Sequence, residues 1–201
     1  MTLWFTSDEH YGHSNVIEYC ERPFDGLEDM HAELISRHNT VVQPDDTVYH
    51  LGDFCFKTKL MEQILPLLKG NHVLVPGNHD ECHPCHSKYC GKQLRYREAG
   101  FTITEPEGTT IIFEDNDTFE CVELNHFPFI ALDDRYPEWL PQDHGQWLLH
   151  GHIHNREGGW RVRDRMINVG VDVWDYAPVS EEQIRSIIFD TASSLDATNG
   201  G

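Results

Sequence analysis

Basic residues and long apolar runs are both scarce in this chain of 201 residues. Lysine and arginine number 15 against 34 aspartates and glutamates, which gives a formal net charge of −19. A surface that grips a nucleic-acid backbone needs clustered basic side chains, so we expect no extended nucleic-acid site. No run of about 18 apolar residues is present to cross a bilayer, so we expect no membrane partner. A small anionic substrate stays compatible if bound metal ions supply local positive charge.

Cysteine is not abundant enough to suggest a disulfide framework. The six cysteines are scattered, apart from the closely spaced Cys82, Cys85 and Cys90. The first residues carry no basic leader, and their apolar stretch ends within a few positions. We therefore expect a cytoplasmic protein whose cysteines are free thiols. Oligomeric state cannot be read from the sequence.

The chain has the length of one ordinary domain. We assign residues 1–190 to that domain and 191–201, which are rich in Ser, Thr, Asn and Gly, to a disordered tail. Ser180 and Gln183 have capping-box spacing and predict a final helix that ends near Ile188.

Strands and helices alternate in the first half of the chain and strands dominate the second. Apolar segments at 3–7, 46–50 and 73–76 predict strands, and residues 27–38 and 60–69 predict helices, with Pro66 as a weak point. Further strands are predicted at 101–103, 109–113, 118–124, 146–150 and 166–169. The pattern indicates an α/β (α+β) fold with a mixed, sandwich-like sheet arrangement.

Five polar clusters each follow a predicted strand. They are Asp8-Glu9-His10, Gly52-Asp53, Gly77-Asn78-His79-Asp80, Asn125-His126 and Gly151-His152-Ile153-His154. Residues two apart in an extended segment face the same side, so Asp8 with His10, and His152 with His154, can each face one site. One such cluster would be weak evidence, but five in order indicate a shared site.

This pattern of D-x-H, G-D, G-N-H-[DE], a lone H and G-H-x-H resembles the calcineurin-like metallophosphoesterases, and the small phage and bacterial type in particular. The resemblance spans about residues 3–175 and implies two packed mixed β-sheets flanked by helices. It implies two divalent metal ions and hydrolysis of phosphate esters. Manganese is the expected metal, with Fe, Zn, Ni or Co as alternatives, because the ligands are nitrogen and oxygen atoms without thiolate.

Carried over residue by residue, the resemblance assigns two overlapping ligand sets and one catalytic histidine. His79 would approach the phosphate and protonate the leaving oxygen or stabilise its charge. The first metal would be held by Asp8, His10, Asp53 and His154, and the second by Asp53, Asn78, His126 and His152, with Asp53 bridging.

The charge of this ligand set favours an anionic substrate. Two divalent ions, two carboxylates and one bridging hydroxide leave about one net positive charge. The hydroxide would attack phosphorus directly, without a covalent enzyme intermediate.

Several assignments stay open. The protein phosphatases of the family carry an extra Asp and Arg after G-D, where this chain has Phe54-Cys55-Phe56-Lys57. The carboxylate partner of His79 is therefore unassigned, with Asp80 and Glu9 as alternatives, and Asp80 is also a catalytic candidate. Asn78, His13 and Asn15 are the candidate substrate contacts, although residues 14–15 equally suit a helix start. Asp172 is expected to be structural.

The segment Cys82-His83-Pro84-Cys85-His86 matches a haem-attachment pattern and carries zinc-type ligands. Haem attachment requires export, and zinc lacks a clear second ligand pair, so loop residues near the site are the preferred interpretation.

The favoured function is hydrolysis of phosphodiester bonds in small nucleotides, cyclic nucleotides among them. The alternatives are a phosphomonoesterase of small substrates, a metal-dependent nuclease, which should carry a basic groove, and a non-catalytic scaffold, which should have lost ligands.

Overall fold

Two five-stranded mixed sheets pack face to face, with helices against the first sheet. A computed structural model describes residues 1–115, 118–130, 135–156, 159–163 and 165–199. In these residues the strands are β1 (Leu3–Thr6), β2 (Thr47–His50), β3 (Asn71–Leu74), β4 (Thr102–Ile103), β5 (Thr109–Asp115), β6 (Thr118–Leu124), β7 (Trp147–His150), β8 (Arg161–Arg163), β9 (Met166–Asn168) and β10 (Val179–Ser180). The helices are α1 (Asn15–Tyr19), α2 (Leu27–Val41), α3 (Thr58–Ile64), α4 (Tyr89–Ala99) and α5 (Glu181–Asn199).

The first sheet has the order β10-β1-β2-β3-β4. Strands β1 to β4 are parallel neighbours, because helical crossovers return the chain to the same end of the sheet each time. The register places Thr6, His50 and Leu74 side by side. The loops after β1, β2 and β3 therefore leave the sheet together at its carboxyl edge.

The second sheet has the order β5-β6-β7-β9-β8. Its central strands β6, β7 and β9 are parallel, and the outer strands β5 and β8 are antiparallel to their neighbours. A parallel bridge joins Ser7 to Gly170, so the carboxyl ends of β1 and β9 meet. That junction brings the polar loops of both sheets to one edge of the sandwich.

Two apolar cores hold these layers. Phe5, Leu124 and Leu149 belong to the core between the sheets, which Ile184 of α5 joins. Met30 and Phe101 belong to the core between the first sheet and its helices. The prediction of two mixed sheets flanked by helices is confirmed.

The remaining differences from the predicted elements are local. The helix predicted at 60–69 is α3 followed by a 3-10 turn, Leu65–Leu67, and the change occurs at Pro66, which has no N–H to donate. Helix α4 and strands β8 and β10 were not predicted.

The final helix has the predicted cap and a later end than predicted. Gln183 N–H donates to Ser180 Oγ at 3.2 Å and Ser180 N–H donates to Gln183 Oε1 at 3.0 Å, which confirms the capping box. The helix continues past Ile188 to Asn199, so the predicted end was wrong. Gly200 and Gly201 lie outside the described residues, and the boundary at 190 stays a prediction.

Within the described part of the chain, no helix combines the length and the apolar character needed to cross a membrane. The cytoplasmic location stays a prediction.

Candidate metal centre

The predicted ligands lie on loops at the carboxyl ends of strands from both sheets. Asp8 follows β1, Asp53 follows β2 and Asn78 follows β3, while His126 follows β6 and His152 follows β7. Val171 N–H donates to Ser7 O at 3.0 Å, and His152 N–H donates to Asp8 Oδ2 at 2.9 Å. These contacts close the two sheets around one polar cluster.

Five predicted ligands have a left-handed backbone. Asp8, His10, Asp53, His152 and His154 have φ values of 59°, 55°, 56°, 71° and 52°. Such conformations are uncommon outside glycine and cost roughly 1–3 kcal/mol each, so surrounding contacts must impose them. Two of those contacts are Asp8 N–H to Gly52 O at 3.0 Å and His10 N–H to Asp53 O at 2.9 Å. The strain concentrates where the side chains converge.

Gly52 and Gly151 allow this close approach. Gly52 has a φ of +88°, and a Cβ there would lie 2.6 Å from Gly77 Cα. A Cβ on Gly151 would overlap the side chains of Ser7 and Asp8. Larger residues at either position would push the ligand loops apart.

The first group of potential metal ligands contains Asp8, His10 and His154. The rings of His10 and His154 are stacked with centroids 5.0 Å apart. His10 is buried, and among the described residues neither of its ring nitrogens has a hydrogen-bond partner. Burial keeps the pKa of His10 well below its usual value, so the ring is neutral. A buried, unpaired, neutral imidazole beside carboxylates fits a metal ligand.

His154 is oriented by a carboxylate. Its Nδ1 lies 2.7 Å from Asp172 Oδ2, so Nδ1–H donates there, which leaves Nε2 as the nitrogen for the group that His154 forms with Asp8 and His10. Burial opposes a charged ring, but Asp8 and Asp172 outweigh it and raise the pKa of His154 to about 11. The surroundings of His154 therefore favour a positive charge at this position.

The second group contains Asp53, His126 and His152. His126 Nδ1 lies 2.8 Å from Leu51 O, which fixes Nε2 as the inward lone pair. That Nε2 lies 3.2 Å from Asn78 Oδ1, 3.3 Å from His152 Nδ1 and 3.5 Å from Asp53 Oδ2. Four nitrogen and oxygen donors thus surround one point.

Asp53 connects the two groups. Its Oδ2 lies 3.6 Å from His10 Nε2 in the first group and 3.5 Å from His126 Nε2 in the second. Its Oδ1 accepts the His79 N–H at 2.7 Å. One carboxylate oxygen therefore faces both groups while the other positions the loop that carries His79.

A third group, Cys20, His154 and Asp172, has ligand-type spacing but unsuitable electrostatics. Arg22 donates to both carboxylate oxygens of Asp172, at 2.7 and 2.9 Å. A guanidinium in that position neutralises Asp172 and repels a cation, so this group supports His154 instead of forming a separate site.

His79 and His13 lie together beside the first group. His79 is partly exposed, and its ring centroid lies 5.2 Å from that of His10 and 5.7 Å from that of His13. His13 stacks on Phe56 with centroids 4.8 Å apart. Both histidines thus lie beside the first ligand group without being fully buried.

Asn15 is not brought to the cluster. It is exposed at the start of α1 and accepts a hydrogen bond from Ser14 Oγ at 3.3 Å. The helix start was the alternative interpretation for this segment, although the Ser14 side chain makes no capping hydrogen bond.

The carboxylates of Asp80 and Glu9 bind groups other than the His79 ring. The buried Asp80 carboxylate accepts backbone N–H groups from Asp53 and Gly77 on Oδ2, at 2.8 and 2.9 Å, and from Phe54 on Oδ1, at 3.1 Å. Asp80 therefore fastens two ligand loops together. Glu9 Oε1 lies 2.6 Å from Nδ1 of His50, the last residue of β2.

The cysteine-rich segment shapes the Asn78 loop. Cys85 Sγ and His86 Nε2 lie 3.7 and 3.0 Å from Asn78 O, and Cys82 is buried. None of the three ligand groups found in the described residues contains a side chain of this segment, so its interpretation as loop residues is favoured over zinc.

Two features of the site were missed from sequence. Arg22 carried no motif signal, and Asp172 was expected to be structural without a stated partner.

Known proteins resemble this chain over nearly its whole length. It is 30% identical over 193 residues to the uncharacterized protein MJ1445 of Methanocaldococcus jannaschii, covering 92% of this chain and 90% of that protein. It is 32% identical over 196 residues to the gene 66 protein of Mycobacterium phage L5, covering 92% and 93%. The crystal structure of AQ665, a protein of unknown function from Aquifex aeolicus, aligns with a TM-score of 0.67 and 27% identity over 92% of this chain and 98% of that one. No protein-family model matches the chain.

Proposed function

The chain belongs to the family of MJ1445 and the phage L5 gene 66 protein, and we propose that it is a metallophosphoesterase with two divalent metal ions that hydrolyses phosphodiester bonds of small nucleotides. The observation that carries this proposal is the position of Asp53 Oδ2 between His10 and His126, at 3.6 and 3.5 Å. One oxygen placed equally between two ligand groups suits a carboxylate that bridges two ions.

The donor atoms support the choice of metal. Both groups consist of imidazole nitrogens and carboxylate or amide oxygens, a combination that suits Mn, Fe, Zn, Ni or Co. Two such ions, when bound, would polarise the phosphoryl oxygens and lower the pKa of a coordinated water. Asp8 and Asp53 are the two carboxylates among the seven ligands, so the loaded centre would keep a net positive charge and attract phosphate to an acidic protein.

His79 is the proposed proton donor. Its backbone N–H is fixed by Asp53 Oδ1, while its partly exposed ring lies beside His10 and His13. A ring in that place can donate a proton to the departing oxygen of the ester. His13 and Asn78 are the proposed substrate contacts that the geometry supports, and Asn15 is less well placed.

The net charge favours a small substrate. A chain with a formal charge of −19 is poorly suited to hold a polynucleotide, which argues against the nuclease alternative. The scaffold alternative is disfavoured because all seven predicted ligands are present, together with His79. A phosphomonoesterase remains the second candidate, since the ligand geometry is equally compatible with a monoester.

Turnover of model esters tests this function. Protein stripped with chelator is reloaded with Mn, Ni, Zn or Mg and assayed with bis-p-nitrophenyl phosphate and p-nitrophenyl phosphate. Metal-dependent turnover that favours the diester is expected, followed by a screen of cyclic and linear dinucleotides. Preference for the monoester would replace phosphodiesterase by phosphatase, and no turnover with any metal would refute catalysis.

A further inference from the structure

We propose that Arg22 is a positioning residue for one half of the metal centre, acting through Asp172 and the backbone of Asp8. This inference rests on the proposed metal centre. It concerns a residue that carries no ligand atom and lies in none of the five polar clusters.

All of the guanidinium nitrogens are engaged. Arg22 Nε and Nη2 donate to the two carboxylate oxygens of Asp172, at 2.7 and 2.9 Å. Nη2 also donates to Asp8 O at 2.7 Å, and Nη1 donates to Glu9 O at 3.0 Å. The side chain is 0% exposed. A flat fork of five N–H groups can satisfy these acceptors together, whereas a lysine ammonium has three donors on one atom.

The first effect of Arg22 is on His154. Asp172 Oδ2 receives both the guanidinium and His154 Nδ1, the latter at 2.7 Å. A carboxylate held in this way fixes the tautomer and the ring plane, and so directs Nε2 towards Asp8 and His10. Loss of such support typically weakens metal binding by about 10–100-fold.

The second effect is on the backbone of Asp8. Asp8 has a φ of 59°, a backbone conformation that is uncommon outside glycine. The hydrogen bonds that Arg22 donates to Asp8 O and Glu9 O stabilise the backbone of this turn. Arg22 thus joins two ligands that lie far apart in the sequence.

The other ligand group does not depend on Arg22 in this way. His126 is oriented by Leu51 O at 2.8 Å. The Asp53 backbone is held instead by Asp80, whose Oδ2 accepts its N–H at 2.8 Å. Replacing Arg22 should therefore weaken metal binding at Asp8, His10 and His154. Metal binding at Asn78, His126 and His152 should change little.

Metal titration of the variant Arg22→Lys tests this asymmetry. Mn binding to chelator-stripped protein is followed by calorimetry, and bound metal is counted after desalting. We expect two ions in the wild type, and in Arg22→Lys one ion at unchanged affinity and one weakened by about 10–100-fold. Arg37→Lys is the matched control, since Arg37 pairs with Asp175 at 2.9 Å on the surface, and it should titrate like the wild type.

Each outcome separates the inference from the proposed function. A wild type that binds no metal would refute the metal centre itself. Two ions in Arg22→Lys at wild-type affinity, or equal weakening of both, would overturn the positioning role. If Arg22→Lys fails to fold, Asp172→Asn supplies the same test, with the His154 tautomer read from ¹⁵N chemical shifts. The positioning role would also be overturned if Asp172→Asn bound metal with wild-type affinity and kept the ring proton of His154 on Nδ1.

Discussion

Histidines are buried in two neighbouring regions of this protein, and their surroundings differ. In the candidate centre, burial opposes a charged ring, but at His126 Asp53 outweighs it and raises the pKa to about 9, whereas at His10 burial prevails and keeps the pKa well below its usual value. The second region, here called the histidine row, consists of His38, His50 and His72 on the helix side of the first sheet. Burial dominates there and lowers the pKa of His50 and His72 to about 3 and that of His38 to about 4.

The comparison shows that burial alone does not make a histidine a metal ligand. In the row, His50 Nε2 and His72 Nδ1 lie 3.0 Å apart, the distance of one N–H···N hydrogen bond, while His38 Nε2 lies 2.9 Å from Lys69 O. Their lone pairs do not converge with carboxylates on one point. In the centre, imidazoles converge with Asp8 and Asp53 instead, and that convergence is what favours a cation.

The two regions touch through Glu9. Its Oε1 lies 2.6 Å from His50 Nδ1, and its neighbours in sequence are Asp8 and His10. The histidine row therefore contacts the loop that carries Asp8 and His10 but supplies no metal ligand. Variants in the candidate centre should therefore change metal binding, whereas variants in the histidine row should change packing and stability.

The largest effect is expected for Asp53→Asn. It removes the carboxylate that lies between His10 and His126, so both ions should be lost and turnover should fall by more than about 100-fold, beyond the range of supporting residues. Metal content by mass spectrometry and turnover of the model diester provide the measurement. Asp175→Asn, which changes an exposed carboxylate, should keep both ions. Two ions at full occupancy in Asp53→Asn would contradict the bridging role.

A smaller and more selective effect is expected for His79→Ala. The ring lies next to His10 but is not part of either ligand group, so both ions should remain while kcat falls by roughly 10²–10⁴-fold. Metal content and kcat are measured on the same preparation, with the exposed His144→Ala as control. Parallel loss of metal and activity would place His79 among the ligands.

The sequence placed the five polar clusters after strands because that information is local, and the family resemblance supplied the ligand sets. Each ligand lies a few residues after the end of a strand. Parallel strands of one sheet end at the same edge, whichever way the helices pack against it. Arg22 and Asp172 could not be paired in the same way, because they lie 150 positions apart and meet only when the sheets close at Ser7 and Gly170.

The missed elements have equally physical reasons. Helix α4 buries one side chain, Tyr96, so its sequence shows little apolar periodicity. Strands β8 and β10 have three and two residues, too few to show alternation. Tertiary contacts determine whether such short or exposed segments form a helix or a strand.

The smallest effect is expected for His72→Ala, measured as the pH dependence of stability in metal-free protein. The folded pKa of His72, about 3, lies below the unfolded value of roughly 6.5. The unfolded chain therefore binds the extra proton between these values, and His72 stabilises the fold fully above pH 6.5 and progressively less as the pH falls towards 3.

Removing His72 should therefore flatten the acid side of the stability curve. Between pH 6.5 and 4.5 the wild type should lose up to about 2 kcal/mol more than His72→Ala, while the variant is less stable at pH 6.5 by about 1–3 kcal/mol because it leaves a cavity. Urea unfolding at both pH values measures the two quantities, with His144→Ala as control. Metal content in the loaded variant should stay at the wild-type level, because the row supplies no ligand. An unchanged acid slope would contradict the lowered pKa of His72, and loss of an ion would show that the row and the centre act as one unit.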